Sequence, residues 1–171
     1  MPRIKTKPLS DNKYFELKKS SIQGWGAFAI KKIRKGTKII EYLGERISQD
    51  EADEKYSDSD TKRHHTFLFS VDNDVCIDGR YNGNEAIYIN HSCKPNCEPL
   101  NVDDRIFIYS LKTIIIGEEL VYDYGYELFD WHTKEDMLRY KCLCGSDNCR
   151  GTILKSYKKK KKLPKNVFYE R

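Results

Sequence analysis

Residues 88–97, YINHSCKPNC, and residues 117–126, GEELVYDYGY, are the two stretches that decide the fold of this 171-residue chain. The first places the pair Asn90-His91 and a cysteine directly after an apolar run. The second leads from a strand-like pattern into three tyrosines within five residues. Taken singly, an Asn-His pair is more often a satisfied structural pair, and an aromatic run is more often core or strand surface. The combination of the two stretches and their order along the chain indicate the fold.

The length and composition indicate one domain with tails. A chain of 171 residues allows a single domain, and 39% hydrophobic with 33% charged residues predicts a folded body with a strongly charged surface. No apolar run approaches the roughly 18 residues that span a membrane. Residues 1–16 lack the apolar centre of a signal peptide. We therefore expect no membrane association and no secretion through a signal peptide.

The net charge of +5 is unevenly distributed along the chain. Residues 155–171 carry eight basic and one acidic side chain, and residues 1–20 carry six basic and two acidic. Residues 21–154 carry 17 basic and 23 acidic side chains, so the body has a net charge of −6. The run Lys158–Lys162 has three interpretations: a nuclear localisation signal, a weak electrostatic contact with DNA, or a solvated end without a role.

The pattern of the body predicts a mostly β domain with short peripheral helices. Ser48 begins a capping-box pattern, and Thr133 begins a second one with Asp136 at its third position. Gly, Asn and Asp clusters separate the strands, and Asp103-Asp104 is typical of a hairpin turn. The predicted strands are short β-branched and aromatic runs, at residues 14–18, 38–43, 66–71, 105–111 and 119–122.

Three cysteines, Cys142, Cys144 and Cys149, lie within eight residues of a turn-rich segment. This spacing favours tetrahedral Zn²⁺, with thiolates at about 2.3 Å, over disulfides or inert thiols. A structural zinc site needs a fourth ligand, and spacing alone leaves three candidates, namely Cys76, Cys93 and Cys97.

The order of the motifs along the chain resembles one protein family. The segments GWGAFAIKKIRKG (24–36), EYLGE (41–45), CIDG (76–79) and KCLCGSDNCRG (141–151), together with the two stretches quoted above, resemble a SET-domain protein-lysine methyltransferase with a C-terminal post-SET zinc segment. The resemblance covers about residues 14–154.

The resemblance implies a fold and a domain organisation. The fold is the mostly β SET-domain fold of small twisted sheets, short helices and a C-terminal post-SET zinc loop. In this fold the NHSC segment and the segment after GEELVYDY pass one through the other in a knot-like arrangement. The implied divisions are a basic N-terminal extension at 1–12, a SET domain at 13–126, a post-SET segment at 127–154 and a Lys-rich tail at 155–171.

The resemblance also implies the ligands. Asn90 would contact S-adenosyl-L-methionine near its amino-acid end, and His91 would contact the adenine mainly by its backbone. The full implied cofactor set is Gly24, Trp25, Gly26, Phe67, Asn90, His91, Tyr124 and Leu143. The implied ligands of a structural Zn²⁺ are Cys93, Cys142, Cys144 and Cys149.

Three tyrosines take the catalytic roles that the resemblance implies. Tyr124 matches the catalytic tyrosine, Tyr42 matches a second tyrosine at the lysine channel, and Tyr122 matches a position that controls product multiplicity. A lysine amine attacks a sulfonium methyl group in line, so the channel needs to supply desolvation and alignment rather than a general base. With tyrosine at position 122 we expect mainly mono- or di-methylation.

The implied function is methylation of a histone tail or another basic peptide, which the acidic body would attract. The alternatives are methylation of a non-histone protein and an inactive SET-like binding module. A zinc-ribbon DNA binder would explain only residues 142–149. The expected location is the nucleus or chromatin, including a host nucleus for a bacterial or viral protein, and otherwise the cytoplasm.

Two features depart from the family or carry no motif. Ile87 stands where many members have an arginine, so a polar contact near the cofactor must be missing or come from elsewhere, with Arg80 and Lys31 as candidates. The charged stretch 49–65 carries no readable target motif, and we expect His64-His65 within it to be exposed loop residues.

Overall fold

This computed structural model describes residues 12–56, 67–130 and 132–156. These residues form ten short strands, two α-helices and one short 3-10 helix. The mostly β prediction is therefore confirmed. The helices are α1 (Gln49–Tyr56) and α2 (Lys134–Arg139), and the 3-10 helix is Glu85–Tyr88. The strands are β1 (Phe15–Lys19), β2 (Trp25–Ala29), β3 (Lys38–Glu41), β4 (Glu45–Ser48), β5 (Leu68–Ser70), β6 (Val75–Asp78), β7 (Asn90–His91), β8 (Cys97–Val102), β9 (Arg105–Ser110) and β10 (Glu119–Tyr122).

The four-stranded sheet brings the two diagnostic stretches together. Its order is β1-β2-β10-β7, and β10 pairs with β7 in parallel, with Val121 opposite Asn90 and Tyr122 opposite His91. The side chain of Asn96 extends this pairing, because it accepts from Val121 N and donates to Glu119 O, both at 2.8 Å. The NHSC and YDY segments therefore lie side by side, as the implied knot-like arrangement requires.

Two three-stranded sheets complete the β structure. Their orders are β3-β9-β8 and β4-β6-β5. Asp103 and Asp104 join β8 to β9 with φ angles of 51° and 59°, the left-handed values of a two-residue hairpin turn, so that prediction is confirmed.

Local capping explains where both helices begin. Ser48 Oγ accepts a hydrogen bond from Glu51 N at 3.1 Å ahead of α1. Ahead of α2, Thr133 and Asp136 form a reciprocal capping box, in which Asp136 N donates to Thr133 Oγ1 and Thr133 N donates to Asp136 Oδ2.

No helix among residues 12–56, 67–130 and 132–156 is long and apolar enough to cross a membrane. The predictions for His64-His65 and for Lys158–Lys162 lie outside the described residues.

The most deeply buried large side chains of the core are aliphatic, and aromatic side chains pack against them. Five large aliphatic side chains are at most 1% exposed, and each contributes roughly 1.5–3 kcal/mol on burial; they are Ile33, Ile89, Ile108, Ile114 and Leu120. Tyr42 and Tyr122 belong to the same cluster of buried residues. Because this core is closely packed, the tyrosines are held on a rigid base.

Candidate functional site

Aromatic side chains from separate elements converge at the end of β10. The ring centroids of Tyr122 and Tyr124 are 5.0 Å apart, and Tyr124 is 6.3 Å from Tyr126. Phe69, in β5, connects this group to Tyr42 at 5.2 Å and to Tyr122 at 6.3 Å. The fold therefore assembles one tyrosine cluster, defined as Tyr42, Tyr122, Tyr124 and Tyr126, from two sequence segments that Phe69 connects.

The phenol groups of Tyr42, Tyr122 and Tyr124 are neutral, and those of Tyr42 and Tyr124 donate hydrogen bonds. Tyr42 donates to Phe67 O at 2.6 Å, and Tyr124 donates to Ile89 O at 3.2 Å. Burial, followed by the charges of neighbouring groups, raises the pKa of Tyr42, Tyr122 and Tyr124. These tyrosines therefore stay protonated at neutral pH and cannot act as phenolate bases there.

Gly79, from the CIDG motif, allows Tyr42 to reach its position. A Cβ atom on Gly79 would lie 2.7 Å from the Tyr42 hydroxyl and 2.6 Å from Ile87 Cγ2. Ile87 is 6% exposed and packs in the core, so the contact at this position is apolar. The two candidates for a substitute polar contact, Lys31 and Arg80, lie against aromatic rings. The ammonium of Lys31 lies 4.6 Å from the ring centre of Tyr14, and the guanidinium of Arg80 lies 5.0 Å from the ring centre of Tyr56.

The side-chain amide of Asn90 is oriented by acceptors. Its Nδ2 donates to Glu119 Oε1 at 2.8 Å, to Trp25 O at 3.0 Å and to Gln23 O at 3.3 Å. Because all three partners only accept, the NH₂ group must face them and Oδ1 must face away. Nothing among the described residues donates to Asn90 Oδ1. A Cβ atom on Gly26 would collide with the Glu119 carboxylate, so a larger residue there would displace the group that orients Asn90.

His91 connects the tyrosine cluster to the cysteines. Tyr124 N donates to His91 Nδ1 at 3.1 Å, so the ring is neutral and carries its proton on Nε2. That Nε2 lies 3.5 Å from Cys93 Sγ. Burial lowers the pKa of His91 to about 4, although nearby Asp123 raises it, so the neutral form persists at pH 7.

The positions of the cysteines in the fold show which one joins Cys142, Cys144 and Cys149, a choice that spacing in the sequence left open. The sulfur atoms of Cys93, Cys142, Cys144 and Cys149 all lie within 4.8 Å of one another, so this cysteine cluster can hold a metal ion. The remaining two cysteines lie elsewhere: Cys76 donates to Gln49 at 3.0 Å, and burial raises the pKa of Cys97 to about 12. All six cysteines are free thiols, so the disulfide alternative is not supported.

The donor set of the cysteine cluster fits a thiolate-bound ion. The separation of 3.8 Å between Cys93 Sγ and Cys142 Sγ equals the edge of about 3.8 Å expected for a tetrahedron with metal–sulfur bonds of about 2.3 Å. Three backbone N–H groups point at sulfur at 3.4 Å, from Cys144 to Cys142, from Arg150 to Cys93 and from Gly151 to Cys149. Such outer hydrogen bonds stabilise thiolate ligands.

Arg150 fastens the cysteine-rich loop to the tyrosine segment. Its guanidinium makes a bidentate pair with Asp123, at 2.9 and 3.0 Å. Lys155 Nζ lies 3.4 Å from the same carboxylate. Burial raises the pKa of Asp123, but hydrogen bonds and the charge of Arg150 outweigh it, and the net pKa is lowered. Asp123 therefore stays ionised between Tyr122 and Tyr124.

A cavity of about 220 Å³ opens beside the tyrosine cluster. Phe69 separates it from Tyr42 and Tyr122, and Asp123, Gly125 and Lys155 border it on the side of the YDYGY segment. The remaining wall comes from β5, β8 and β9, through Ser70, Val71, Glu98, Pro99, Asn101 and Ile106.

Comparison with protein families shows which family this chain belongs to. Residues 24–125, more than half of the chain, match the family model of the SET domain. The chain belongs to the SET-domain family. The match includes residues 88–97 and all but the last residue of 117–126, so Tyr42, Tyr122, Tyr124 and the oriented Asn90 lie inside it. Tyr126 and the cysteines Cys142, Cys144 and Cys149 follow it.

Curated relatives of this SET domain carry methyltransferase names. Histone-lysine N-methyltransferase SETD1B of Homo sapiens is 39% identical over 142 residues, covering 79% of this chain and 7% of the relative. The H3 lysine-4 specific histone-lysine N-methyltransferase of Mycosarcoma maydis is 38% identical over 143 residues, covering 81% and 10%. Histone-lysine N-methyltransferase set1 of Dictyostelium discoideum is 38% identical over 154 residues, covering 84% and 10%. The chain thus spans a tenth or less of these relatives' length.

The structure brings most of the predicted site residues of this SET domain together and leaves two apolar ones exposed. Tyr42, Tyr122, Tyr124, Asn90 and His91 are linked by the contacts given above. Trp25 is 47% exposed with the Lys19 ammonium 4.7 Å from its ring centre, and Leu143 is 39% exposed between two cysteines. Gly24 has φ of +51°, the left-handed region that favours glycine.

Sequence reasoning missed three residues that hold this SET domain's site in place. Glu119 orients Asn90, while Asp123 and Arg150 join the tyrosine segment to the cysteine-rich loop. Each is a charged residue inside an otherwise recognised motif, GEELVYDY or CRG, and that placement was the available signal. Their partners are distant in sequence, so no local pattern names them.

Proposed function

We propose that this SET domain is a protein-lysine N-methyltransferase, which transfers methyl from S-adenosyl-L-methionine to a lysine amine of a histone tail. The observation that carries the proposal is the convergence of Tyr42, Tyr122 and Tyr124 on the segment that contains Asn90 and His91. The names of the relatives support the same reaction. In this proposal residues 13–126 are the SET domain and residues 127–154 are the post-SET segment, flanked by a basic extension at 1–12 and a tail at 155–171.

The residues present fit the cofactor. Asn90 Oδ1 has no donor among the described residues, so it can accept from the ammonium at the amino-acid end of S-adenosyl-L-methionine. We assign the exposed Trp25 and Leu143 to apolar contacts and Gly24 and Gly26 to close backbone approach. Phe67 and the backbone of His91 complete the proposed set. When bound, the cofactor supplies an electrophilic methyl group on a sulfonium sulfur.

The proposed role of the tyrosine cluster is alignment without base catalysis. Tyr42 is buried and Tyr124 is partly buried, and both phenols are neutral, so they exclude water and can direct a lysine amine or the transferring methyl group by hydrogen bonding. Burial in the same pocket lowers the pKa of the incoming lysine and so supplies the neutral amine. Tyr122 packs 5.0 Å from Tyr124, and we assign to its bulk and hydroxyl a preference for mainly mono- or di-methyl products.

We propose Zn²⁺ as the ion of the cysteine cluster. Four thiolates in tetrahedral positions are the ligand set that structural zinc prefers. The cluster connects Cys93, at the end of the NHSC segment, to the loop that carries Leu143 and Arg150. The ion would therefore order this loop against Asp123 rather than take part in the reaction.

The proposed substrate and location follow from charge. The net −6 of residues 21–154 attracts a basic peptide such as a histone tail. The run Lys158–Lys162 would add a weak contact with DNA or act as a nuclear address. Both features favour chromatin as the place of action.

A transfer assay on a mixed panel tests this function. The purified chain is incubated with methyl-labelled S-adenosyl-L-methionine and separately with core histones, ribosomal proteins and DNA. Label on histones supports the proposal, and label on ribosomal proteins alone makes the enzyme a non-histone methyltransferase. Saturable cofactor binding without transfer to any protein would instead identify an inactive binding module.

A further inference from the structure

We propose that an exposed basic surface on the body of this protein binds the phosphate backbone of double-stranded DNA. Two neighbouring segments form this surface, which we call the basic ribbon, and it is defined by four side chains, Lys32, Arg34, Lys35 and Lys112. The choice of DNA as the polyanion rests on the proposed function, because histones in chromatin are wrapped in DNA.

Backbone hydrogen bonds hold the two segments of the ribbon side by side. Ile33 and Ile114 exchange both of their hydrogen bonds at 2.9 Å, and Gly36 N donates to Ser110 O at 2.8 Å. The side chains of Ile33 and Ile114 are at most 1% exposed. The buried isoleucines therefore anchor both segments in the core, and the residues next to them remain at the surface.

The four cations of the ribbon are all exposed. Lys32, Arg34 and Lys35 follow one another along the first segment, around the buried Ile33. Lys112 lies between the two anchor points of the second segment, so the antiparallel pairing places it opposite Arg34 and Lys35. The fold thus gathers positive charge from segments about 80 residues apart onto one surface.

The ribbon has no negative charge of its own. Residues 30–38 and 110–117 contain six basic residues and no Asp or Glu. The nearest acids in sequence are already engaged, since Glu41 accepts from Arg105 Nε at 2.8 Å and Glu118 accepts from a backbone N–H at 2.7 Å. Because protein surfaces normally mix both signs of charge, a stretch of one sign is typical of a surface that binds a polyanion.

The ribbon cations are also free to pair with an external anion. None of the four side chains forms an ion pair or a hydrogen bond within residues 12–56, 67–130 and 132–156. Binding of phosphate therefore breaks no existing contact, and each ammonium or guanidinium that reaches a phosphate releases a counterion from the duplex.

The ribbon lies at the far end of the β2–β10 pairing from the proposed transfer site. In this pairing Phe28 is opposite Glu119, and β10 then runs on to Tyr122 and the tyrosine cluster. At the other end Gly117 N donates to Ala29 O at 2.8 Å, and the chain continues from there into the ribbon. A peptide at the tyrosine cluster and a duplex at the ribbon can therefore be bound together.

An acidic protein with apolar groups is the alternative occupant, because Ile115 and Ile116 are 58% and 69% exposed at one end of the ribbon. The composition of the ribbon favours DNA over such a protein. Three of its four cations are lysines, which are depleted from protein–protein interfaces and common among phosphate contacts. Exposed apolar side chains beside cations also occur where proteins contact the minor groove.

The salt dependence of binding to a short DNA duplex tests the proposal. The full chain and the variant K32Q/R34Q/K35Q/K112Q are titrated with the duplex at several salt concentrations. At roughly 0.9 per phosphate contact, the slope of log K against log salt should become shallower by about 3–4 in the variant. Lys31 and Lys38 stay unchanged, because each ammonium lies 4.6 Å from an aromatic ring centre.

A matched variant controls for the loss of charge. K18Q/K134Q/R139Q/K141Q removes four exposed cations from other parts of the body and should change the slope far less. The terminal segments are identical in all three proteins, so any contact that they make with DNA cancels in the comparison. Methylation of a free histone peptide by the ribbon variant should equal that by the wild type, since the ribbon is remote from the tyrosine cluster.

The outcomes separate this inference from the proposed function. Equal changes of slope in the two variants, or none in the ribbon variant, would overturn the ribbon as a DNA site. Tighter ribbon-dependent binding of a poly-glutamate peptide than of the duplex would overturn DNA as its occupant and indicate an acidic protein. Loss of DNA affinity in the ribbon variant would support the inference even if no histone peptide is methylated, in which case the proposed function alone fails.

Discussion

Glu119 holds the side-chain amide of Asn90 in one orientation. Glu119 Oε1 accepts from Asn90 Nδ2 at 2.8 Å, and Ser20 Oγ donates to both oxygens of the same carboxylate, at 2.8 and 3.0 Å. The carboxylate therefore joins β10, β7 and the turn that precedes β2. Because a carboxylate only accepts, this contact directs Asn90 Oδ1 toward the proposed cofactor site.

Replacement of Glu119 should weaken cofactor binding more than folding. In Glu119→Ala the Asn90 amide loses its fixed orientation, and we expect a loss of about 1–3 kcal/mol in cofactor binding, roughly 5- to 150-fold in Kd. Glu119→Gln keeps an oxygen that can accept from Asn90 and should retain most of the affinity. Glu118→Ala, at the adjacent position, is the matched control. Calorimetric titration that finds wild-type affinity in folded Glu119→Ala would remove Glu119 from this role.

The pair Asp123–Arg150 should contribute to stability through the docking of the cysteine-rich loop. Its geometry is bidentate and both side chains are mostly buried, at 17% and 26% exposed. A double-mutant cycle with Asp123→Asn and Arg150→Lys should give a coupling of about 1.5–3 kcal/mol in urea unfolding. Lys155→Ala removes the longer contact to the same carboxylate and should cost at most about 1 kcal/mol. A coupling near zero would contradict the docking role.

The same pair gives a pH prediction with a definite sign. Because the pKa of Asp123 is lowered in the folded protein, the unfolded chain binds the proton more tightly than the folded one. The stabilisation is fully present above the unfolded pKa of about 3.9 and is lost as the pH falls through the lower folded pKa. The coupling measured at pH 7 should therefore persist to about pH 4 and decline below it.

Tyr122→Phe should shift the products toward higher methylation states. Tyr122 is 6% exposed and contacts both Phe69 and Tyr124, so loss of its hydroxyl enlarges the pocket without disturbing the core. Mass spectrometry of a methylated peptide at early times should find mono- and di-methyl-lysine with the wild type and more di- and trimethyl-lysine with the variant. Trimethyl-lysine as the main early product of the wild type would contradict the assigned role.

Loss of a cysteine ligand should release the metal. Purified protein should contain one zinc per chain by elemental analysis, and Cys149→Ser should lose it because three thiolates bind zinc far more weakly than four. Limited proteolysis should then cleave within residues 141–151. Cys76→Ser changes a cysteine outside the cluster and should retain both zinc and resistance. Equal zinc content in the two variants would rule out the proposed ligand set.

The sequence predicts those features whose cause is local. The Thr133 cap and the Asp103-Asp104 turn each depend on a few adjacent residues, and the structure confirms both. The fourth cysteine, Cys93, is 49 residues from Cys142 and was undetermined by spacing, since only the fold brings them within 3.8 Å. Family resemblance named Cys93 as the fourth member of the cysteine cluster because a family pattern carries information about long-range pairing.

Glu119 illustrates the remaining gap between sequence and structure. In the sequence it is one of two adjacent acids at the start of a strand, a pattern that predicts a solvated position. Its role depends on the parallel pairing of β7 with β10 and on the antiparallel pairing of β2 with β10. Both pairings join segments distant in the chain, so the contact could not be derived from local pattern.

The most direct test of the account is a tandem mass-spectrometric comparison of histones incubated with the wild type and with Tyr124→Phe, both saturated with S-adenosyl-L-methionine. Tyr124 is partly buried and its hydroxyl donates to Ile89 O, so the variant should keep its fold, and the cofactor concentration is set so that both proteins are saturated. The account predicts mono- or di-methyl-lysine on a histone tail with the wild type and little or none with the variant. Unmodified histones with the folded, cofactor-saturated wild type, or equal methylation by both proteins, would contradict it.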